Sequence, residues 1–247
     1  MERQPQELSL DEIEAIERAA LRALWIAARD FAVDAWEYFR QSADKINYIA
    51  EDVTREMLDR LGGYSIPQRI YGNVAYRKAR YVIHPDLAVR QALFVDSKAE
   101  KTRASATLQM SQLSMAVRHT RGGGDTDVAA GLAPIQVYRD LSYLTTTLLV
   151  HYHYREVDPQ VVPPVHLPSS RYSLSAITLA AIPNGLLQER YNPDQSDTIW
   201  IAGRDAPSHG EDFRVRLSFN RLRQKAAWRV QEIIYDNRGV YTLGWRS

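Results

Sequence analysis

The chain has 247 residues, 31 Lys and Arg against 30 Asp and Glu, and a formal net charge of +1, so no global basic field marks it for nucleic acid. Its length allows one core in a single domain spanning residues 1–247, and the absence of cysteine excludes disulfides, thiol catalysis and cysteine-ligated zinc. No signal core and no stretch of ~18 apolar residues occurs, which predicts a soluble cytoplasmic protein with no membrane contact.

The chain begins with a helical segment, which we place at about residues 8–61. Ser9 and Glu12 have the spacing of a capping box, in which each residue accepts a hydrogen bond from the other's backbone. Apolar residues then recur at steps of three and four, as on one face of a helix. A second helical stretch carries Ile46 to Leu61, and Gly62-Gly63 should end it.

The rest of the chain alternates between strand and helix patterns. Strand-like segments cover 70–99 with a turn at His84-Pro85-Asp86, then 145–156 as a central strand, 171–182 and 213–219. A weaker helical pattern covers 105–119, a helical stretch follows from 220 to about 235, and Arg121–Asp125 should be a flexible loop. This order predicts an α/β fold with a mixed β-sheet flanked by helices.

Asp96-Ser97-Lys98 is the most informative motif. It follows the apolar run 92–95, and residues two apart on a strand share a face. The Asp96 carboxylate can hold a hard divalent cation, and the Lys98 ammonium can lie beside the same reacting phosphate. The tripeptide alone is a weak signal, since a strand end with solvated charges has the same residues. Glu100 would share that face if the strand continued, but we expect it to lie past the strand end as a solvated charge.

Longer blocks around this motif resemble the SfiI family of type II restriction endonucleases, within the PD-(D/E)xK nuclease superfamily. The similar blocks occur in order from about residue 8 to about 235: Leu8–Glu12, Ala50–Asp52, Leu93–Lys101, Thr107–Met115, Val150–Glu156, Gln188–Asp194 and Arg214–Phe219. The resemblance implies a restriction-endonuclease-like sheet and Mg²⁺-dependent hydrolysis of double-stranded DNA. It also implies a palindromic, interrupted G·C-rich site, a homodimer or homotetramer, and a prokaryotic restriction-modification system with a partner methyltransferase.

The same resemblance assigns the catalytic roles and exposes one departure. Asp96 would be the metal ligand, and Lys98 would orient water and phosphate. The family's other acid falls on Ala75, whose methyl group cannot bind a cation. Either the chain is an inactivated variant, which we favour, or the acid has moved, with Asn73 a weaker oxygen donor nearby. Glu51 on the second helix is a third candidate for a metal-binding acid, although such a residue more often lies only on the solvent-exposed face of a helix.

DNA contacts are expected from arginines on a late strand. Arg214 and Arg216 alternate on one face, and an arginine fork can contact guanine O6 and N7. The resemblance gives both this role, with Arg204 as a further base-reading cation; a solvated edge strand would show the same alternation. Lys101 and Arg103 are candidate phosphate contacts.

Four further polar residues are weighed beside the arginines. Ser111 and Gln112 could add hydrogen bonds near the scissile strand. His151 and His153 share a strand face and could bind a transition metal, but their tyrosine neighbours favour ordinary packing.

Three other functions stay open beside a restriction endonuclease. The chain could be a non-cleaving, sequence-specific DNA-binding protein of the same fold, or a nuclease that recognises DNA structure rather than sequence. It could also be an α/β protein unrelated to DNA. Sequence-specific binding without Mg²⁺-dependent cleavage would indicate the first of these. Competition by random duplex would indicate the second, and failure to bind any duplex the third.

Overall fold

A computed structural model describes residues 3–42, 44–60, 65–69, 78–83, 89–157, 171–202 and 214–247. The expected turn at 84–86 and the Gly62-Gly63 stop lie outside these residues. No helix among those described is both long and apolar enough to cross a bilayer.

The N-terminal segment is helical, as predicted, but it forms three helices rather than two: α1 (Leu10–Asp30), α2 (Ala32–Gln41) and α3 (Ile46–Asp59). The capping box is confirmed, because Ser9 N–H donates to Glu12 Oε2 at 2.8 Å and Glu12 N–H donates to Ser9 Oγ at 3.3 Å. Phe31, with φ −101° and ψ 4°, separates α1 from α2.

The rest of the described chain contains thirteen strands and two short α-helices, besides 3-10 turns and loops. The strands are β1 (Ser65–Arg69), β2 (Lys78–Ile83), β3 (Arg90–Glu100), β4 (Ser105–Gln109), β5 (Val117–Arg121), β6 (Gly124–Val128), β7 (Ile135–Tyr138), β8 (Leu141–Glu156), β9 (Tyr172–Ile182), β10 (Trp200–Ala202), β11 (Arg214–Ser218), β12 (Val230–Tyr235) and β13 (Tyr241–Leu243). The short helices are α4 (Gln188–Tyr191) and α5 (Phe219–Lys225).

The main sheet is mixed, and the predicted α/β fold is confirmed. Its order is β1-β2-β3-β8-β9-β12-β13, with β7 paired to β8. β3 and β8 are parallel, whereas the other pairs are antiparallel. β8 lies in the middle of the sheet, as its β-branched and aromatic residues predict. A smaller sheet has the order β10-β11-β4, and β5 and β6 form a separate hairpin.

The two faces of the main sheet have different partners. On the face that we call the helix face, Leu93, Val95 and Val150 pack with apolar residues of α1, α2 and α3. Alternate residues point the other way. On this second face, called the motif face because Asp96 and Lys98 lie on it, Leu149 packs with buried residues of the small sheet and α5.

The prediction of a helix over 105–119 is wrong, and that of a helix over 220–235 holds only for its first six residues. Residues 105–119 form β4, a 3-10 turn over Met110–Gln112 and the start of β5, while 220–235 form α5 and then β12. In β4, Ala106 and Leu108 are buried in the core, so apolar residues alternate along the strand. Apolar residues next to β4 in the sequence obscure this alternation. The loop expected at Arg121–Asp125 is the turn of the β5–β6 hairpin, where Gly122 and Gly123 take positive φ.

Candidate functional site

Asp96 and Lys98 are brought together on the motif face, as the sequence predicts. Both lie in β3, beside Leu149 and His151 of the parallel strand β8. Lys98 Nζ is 3.1 Å from Asp96 Oδ2, and their side chains are 25% and 12% exposed. The carboxylate is thus largely shielded from water, while the ammonium beside it can still be reached from outside. A hard oxygen ligand and a neighbouring cation suit phosphate chemistry.

Glu100 lies on the same face of β3, so the expectation that it is solvated beyond the strand end is wrong. Its Oε2 accepts a hydrogen bond from Arg216 Nη2 at 3.0 Å, and its Oε1 accepts one from Thr107 N–H at 3.0 Å. Buried His151 lies 3.8 Å from Glu100 Oε2. Burial alone would raise the pKa of Glu100, but His151 and Thr107 stabilise the carboxylate and lower that pKa to about 2. Glu100 is therefore an anion at neutral pH.

Arg214 and Arg216 lie on the strand in the middle of the small sheet, since β11 pairs with β10 on one side and β4 on the other. The alternative of a solvated edge strand is therefore wrong. Val215 and Leu217 are buried in the core, and the two arginines share the opposite side of the strand. Arg216 donates from Nε to Ser105 Oγ at 2.9 Å and from Nη2 to Glu100. The contact with Glu100 joins the arginine side of β11 to the motif face.

The two candidate phosphate contacts leave β3 at its carboxyl end and are exposed. Lys101 Nζ is 2.9 Å from Glu156 Oε1, and this hydrogen bond raises the pKa of the lysine. Arg103 Nη2 is 3.2 Å from Glu232 Oε1. Both cations remain accessible to a large anionic ligand.

Ser111 and Gln112 lie in the 3-10 turn that follows β4. Gln112 is buried, and its Oε1 accepts a hydrogen bond from Gln109 N–H at 2.9 Å, so this oxygen holds the turn. Gln109 is the register partner of Arg214. Ser111, which is half-buried, lies two residues beyond Gln109 and so follows the end of β4 that pairs with Arg214.

Glu51 is separated from Asp96 by the sheet. It is exposed on α3, and this helix packs on the helix face through Val53 and Met57. Asp96 lies on the motif face, so the structure does not bring the two carboxylates together. Ala75, Asn73 and Arg204 lie outside the described residues.

The part of the chain that is described contains no group of three His, Cys, Asp or Glu that could hold a metal ion. Asp96 supplies the carboxylate next to Lys98, while Glu100 on the same face is already bonded to Arg216 and Thr107. Mg²⁺ is commonly held by one or two carboxylates, with waters and substrate phosphate completing its shell. The Asp96 carboxylate therefore fits an Mg²⁺ ion held in this way.

The two histidines of β8 fit the packing interpretation. His151 is buried, with its ring centroid 5.3 Å from that of Phe219. His153 Nε2 is 3.0 Å from the Lys101 carbonyl oxygen, and burial lowers the pKa of His153. Both rings thus have structural neighbours on the motif face.

Sequence reasoning missed the partners that surround the motif. The alternation of Glu100 with Asp96 and Lys98 was visible, but the strand was expected to end before it, whereas β3 reaches Glu100. Ser105 and Thr107 carried no signal, because they were assigned to a helix. Arg223 and Arg246, which meet Arg103 at Glu232, are far apart in the sequence and had no recognisable spacing.

Comparison with known proteins gives consistent matches. The family model described as type II restriction enzyme SfiI matches residues 25–233. The type II restriction enzyme SfiI of Streptomyces fimbriatus is 34% identical over 254 aligned positions, covering 98% of this chain and 91% of that protein.

Two solved structures share the fold. The crystal structure of tetrameric SfiI bound to cognate DNA has a TM-score of 0.85 and 30% identity, covering 100% of this chain and 94% of that one. The restriction endonuclease BglI bound to its recognition sequence has a TM-score of 0.66, with 90% of each chain covered. At 16% identity, BglI supports the fold alone.

Proposed function

The chain belongs to the SfiI family of type II restriction enzymes, and we propose that it cleaves both strands of a palindromic, interrupted G·C-rich DNA site with Mg²⁺. It is a type II restriction endonuclease homologue, hence a site-specific deoxyribonuclease. The observation that supports the proposal is the Asp96–Lys98 pair on the motif face. Glu100 lies on the same face and links it by a hydrogen bond to Arg216. We place this activity in a single domain over residues 1–247, in a prokaryotic cytoplasm.

Phosphodiester hydrolysis assigns a role to each residue of the pair. Asp96 would hold Mg²⁺, which when bound neutralises charge on the phosphate. Lys98 would donate hydrogen bonds to a non-bridging phosphate oxygen and to the attacking water. The water oxygen then forms the new bond to phosphorus as the bond to the leaving oxygen breaks; the proton that the water loses passes to solvent, and the leaving oxygen takes up a proton from solvent.

Base recognition would come from Arg214, Arg216 and Arg204. Within the described residues, Arg216 uses only Nε and Nη2, so Nη1 can still reach a guanine edge. Lys101 and Arg103 would contact phosphates and add affinity without sequence choice. Ser111 and Gln112 would add hydrogen bonds near the scissile strand.

A symmetric oligomer is the expected partner of a palindrome, because a two-fold protein matches a two-fold site. SfiI itself was crystallised as a tetramer on cognate DNA. We therefore propose a homodimer or homotetramer for this chain.

Position 75 decides how active the chain is. With alanine there, Asp96 is the metal-binding carboxylate on β3, and we propose that the chain is a variant with an acid removed. Glu51 is a poor substitute because it lies in the helix layer on the other side of the sheet.

The test compares this chain with its Ala75→Asp variant on large mixed-sequence DNA, with Mg²⁺ and with chelator. Discrete Mg²⁺-dependent fragments from the variant alone would support the loss of an acid at position 75. Fragments from both would keep the enzyme and move that acid elsewhere. No cleavage by either would contradict the roles of Asp96 and Lys98.

A second candidate is a sequence-specific DNA-binding protein that does not cut, and the methyl group of Ala75 favours it. Retention of selected fragments with no cleavage by either form would identify it.

A further inference from the structure

Glu232 on β12 gathers three arginines from distant parts of the chain. Its Oε1 accepts from Arg103 Nη2 at 3.2 Å, and its Oε2 accepts from Arg223 Nη2 at 3.0 Å and from Arg246 Nη2 at 3.2 Å. Arg103 follows β3, Arg223 belongs to α5, and Arg246 lies near the end of the chain. We call these four residues the Glu232 cluster.

The Glu232 cluster has more positive charge than its acid can neutralise. One carboxylate meets three guanidiniums, each of which has several N–H donors and no acceptor. Arg223 Nε is buried and has no hydrogen-bond partner among the described residues. Burial lowers the pKa of Arg223, and repulsion from Arg246 and Arg103 lowers it further against the pull of Glu232. An added anion would therefore relieve repulsion and satisfy unused donors.

The cluster is open to a large ligand. Arg103 and Arg246 are 42% and 41% exposed, whereas Glu232 is 11% exposed. The acid thus lies beneath its arginines, and an anion arriving from solvent meets the guanidiniums first.

The register of the main sheet puts the cluster on the motif face. Lys98 pairs with His151, His151 with Thr178, and Thr178 with Glu232. Paired residues point to the same side of a sheet, so Glu232 shares the face of Lys98. Strands lie ~4.8 Å apart, which separates the two backbones by ~14 Å. The major and minor grooves of DNA are about 12 Å and 6 Å wide, which is similar to this separation. One duplex can therefore contact both Lys98 and the Glu232 cluster.

We propose that the Glu232 cluster binds a backbone phosphate of the DNA duplex at a distance from the scissile bond. Arginine forks match phosphate oxygens bidentately, and the positive charge that Glu232 leaves uncompensated would attract the phosphate. This inference rests on the proposed function. It adds Arg223 and Arg246 to the interface and predicts that they provide affinity rather than sequence choice.

The test measures DNA affinity against salt concentration for Arg246→Ala and Arg223→Ala. Chelator prevents cleavage, and the probes are G·C-rich and A·T-rich duplexes of equal length. Each lost phosphate contact should reduce the slope of log K against log salt by about 0.9, with the same weakening on both duplexes. Arg29→Ala is the matched control, because it removes an arginine paired with Asp30 on α1, and its slope should equal that of the unaltered chain.

The outcomes separate the two proposals. If the unaltered chain binds neither duplex, the proposed function fails and the cluster's role fails with it. If that chain binds DNA and both arginine variants match Arg29→Ala, only the cluster proposal is overturned.

Glu232→Gln tests the same idea without removing a guanidinium, in case an arginine variant fails to fold. It removes the competing carboxylate, so binding to both duplexes should tighten and the salt slope should steepen. Asp30→Asn makes the same charge change beside Arg29 and should leave both unchanged. Equal behaviour of these two variants would argue against the cluster.

Discussion

Arg216 donates from Nη2 to Glu100 Oε2 over 3.0 Å, and this contact, together with the one from Thr107 N–H, ties the small sheet to the strand that carries Asp96 and Lys98. Each side chain is 20% exposed, so the pair is mostly shielded from solvent. Any shift of β3 on binding a phosphate would therefore also move Arg216 on β11.

Glu100→Gln should destabilise the protein by about 1–3 kcal/mol, because it leaves the half-buried Arg216 without its anionic partner. Urea unfolding at neutral pH measures the change. The matched control is Asp34→Asn, which breaks an exposed pair with Arg60 and should cost less than about 1 kcal/mol. A Glu100→Gln effect no larger than that of the control would mean that the contact does not hold the two sheets together.

The stability that Glu100 provides should depend on pH. Its pKa is lowered from 4.5 to about 2 in the folded protein, so its contribution is complete above about pH 4.5 and disappears as the pH falls towards 2. The unfolding free energy of the unaltered chain minus that of Glu100→Gln should shrink across this window. A difference that stays constant from neutral pH to pH 3 would contradict the assignment.

Asp96→Asn and Lys98→Met should each lower cleavage at least about a hundredfold in whichever form, Ala75 or Ala75→Asp, cuts DNA. Binding to a duplex in chelator should stay within a few-fold, since neither residue is expected to read bases. Single-turnover cleavage and a binding titration separate the two effects. Loss of binding equal to the loss of cleavage would assign the residues to DNA affinity instead.

Glu17 and Arg229 form a fully buried ion pair, 2.7 Å long, between α1 and the turn before β12. Glu17→Gln should cost about 3–5 kcal/mol, because buried Arg229 loses its nearest anion and is left with Glu14, whose Oε1 lies 3.5 Å from Nη2. Asp30→Asn breaks an equally short but exposed pair with Arg29 and should cost less than about 1 kcal/mol. Denaturant midpoints with unchanged slopes would report these differences, and similar values for both variants would refute the argument.

The sequence was a good guide wherever the signal was local. Ser9 and Glu12 stand at capping-box spacing, and Asp96 and Lys98 alternate on an apolar strand, so both features could be predicted from a few residues. β4 and β12 were mistaken for helix because their pairing partners, β11 and β9, are distant in sequence. The local periodicity of a sequence does not indicate which distant strand a segment pairs with.

Sites built from long-range contacts were hidden for the same reason. Glu100 was expected to be a solvated charge because its partner, Arg216, is far along the chain and cannot be recognised from local sequence. Glu51 looked like a possible third acid because α3 precedes β3, but the helix packs on the opposite side of the sheet. Only the fold decides which face a polar residue meets.

The parallel pairing of β3 with β8 determines when the reactive pair can be assembled during synthesis. Lys98 lies opposite His151, and β4 to β7 must be made between the two strands. A parallel partner that distant cannot form from a local hairpin, and the β2–β3 hairpin alone is marginally stable. A nascent chain therefore has its Asp96-Ser97-Lys98 segment exposed on the ribosome well before the strand that fixes it exists. For a nuclease that could cut its own cell's genome, the order of the strands delays a competent site until most of the chain has been translated.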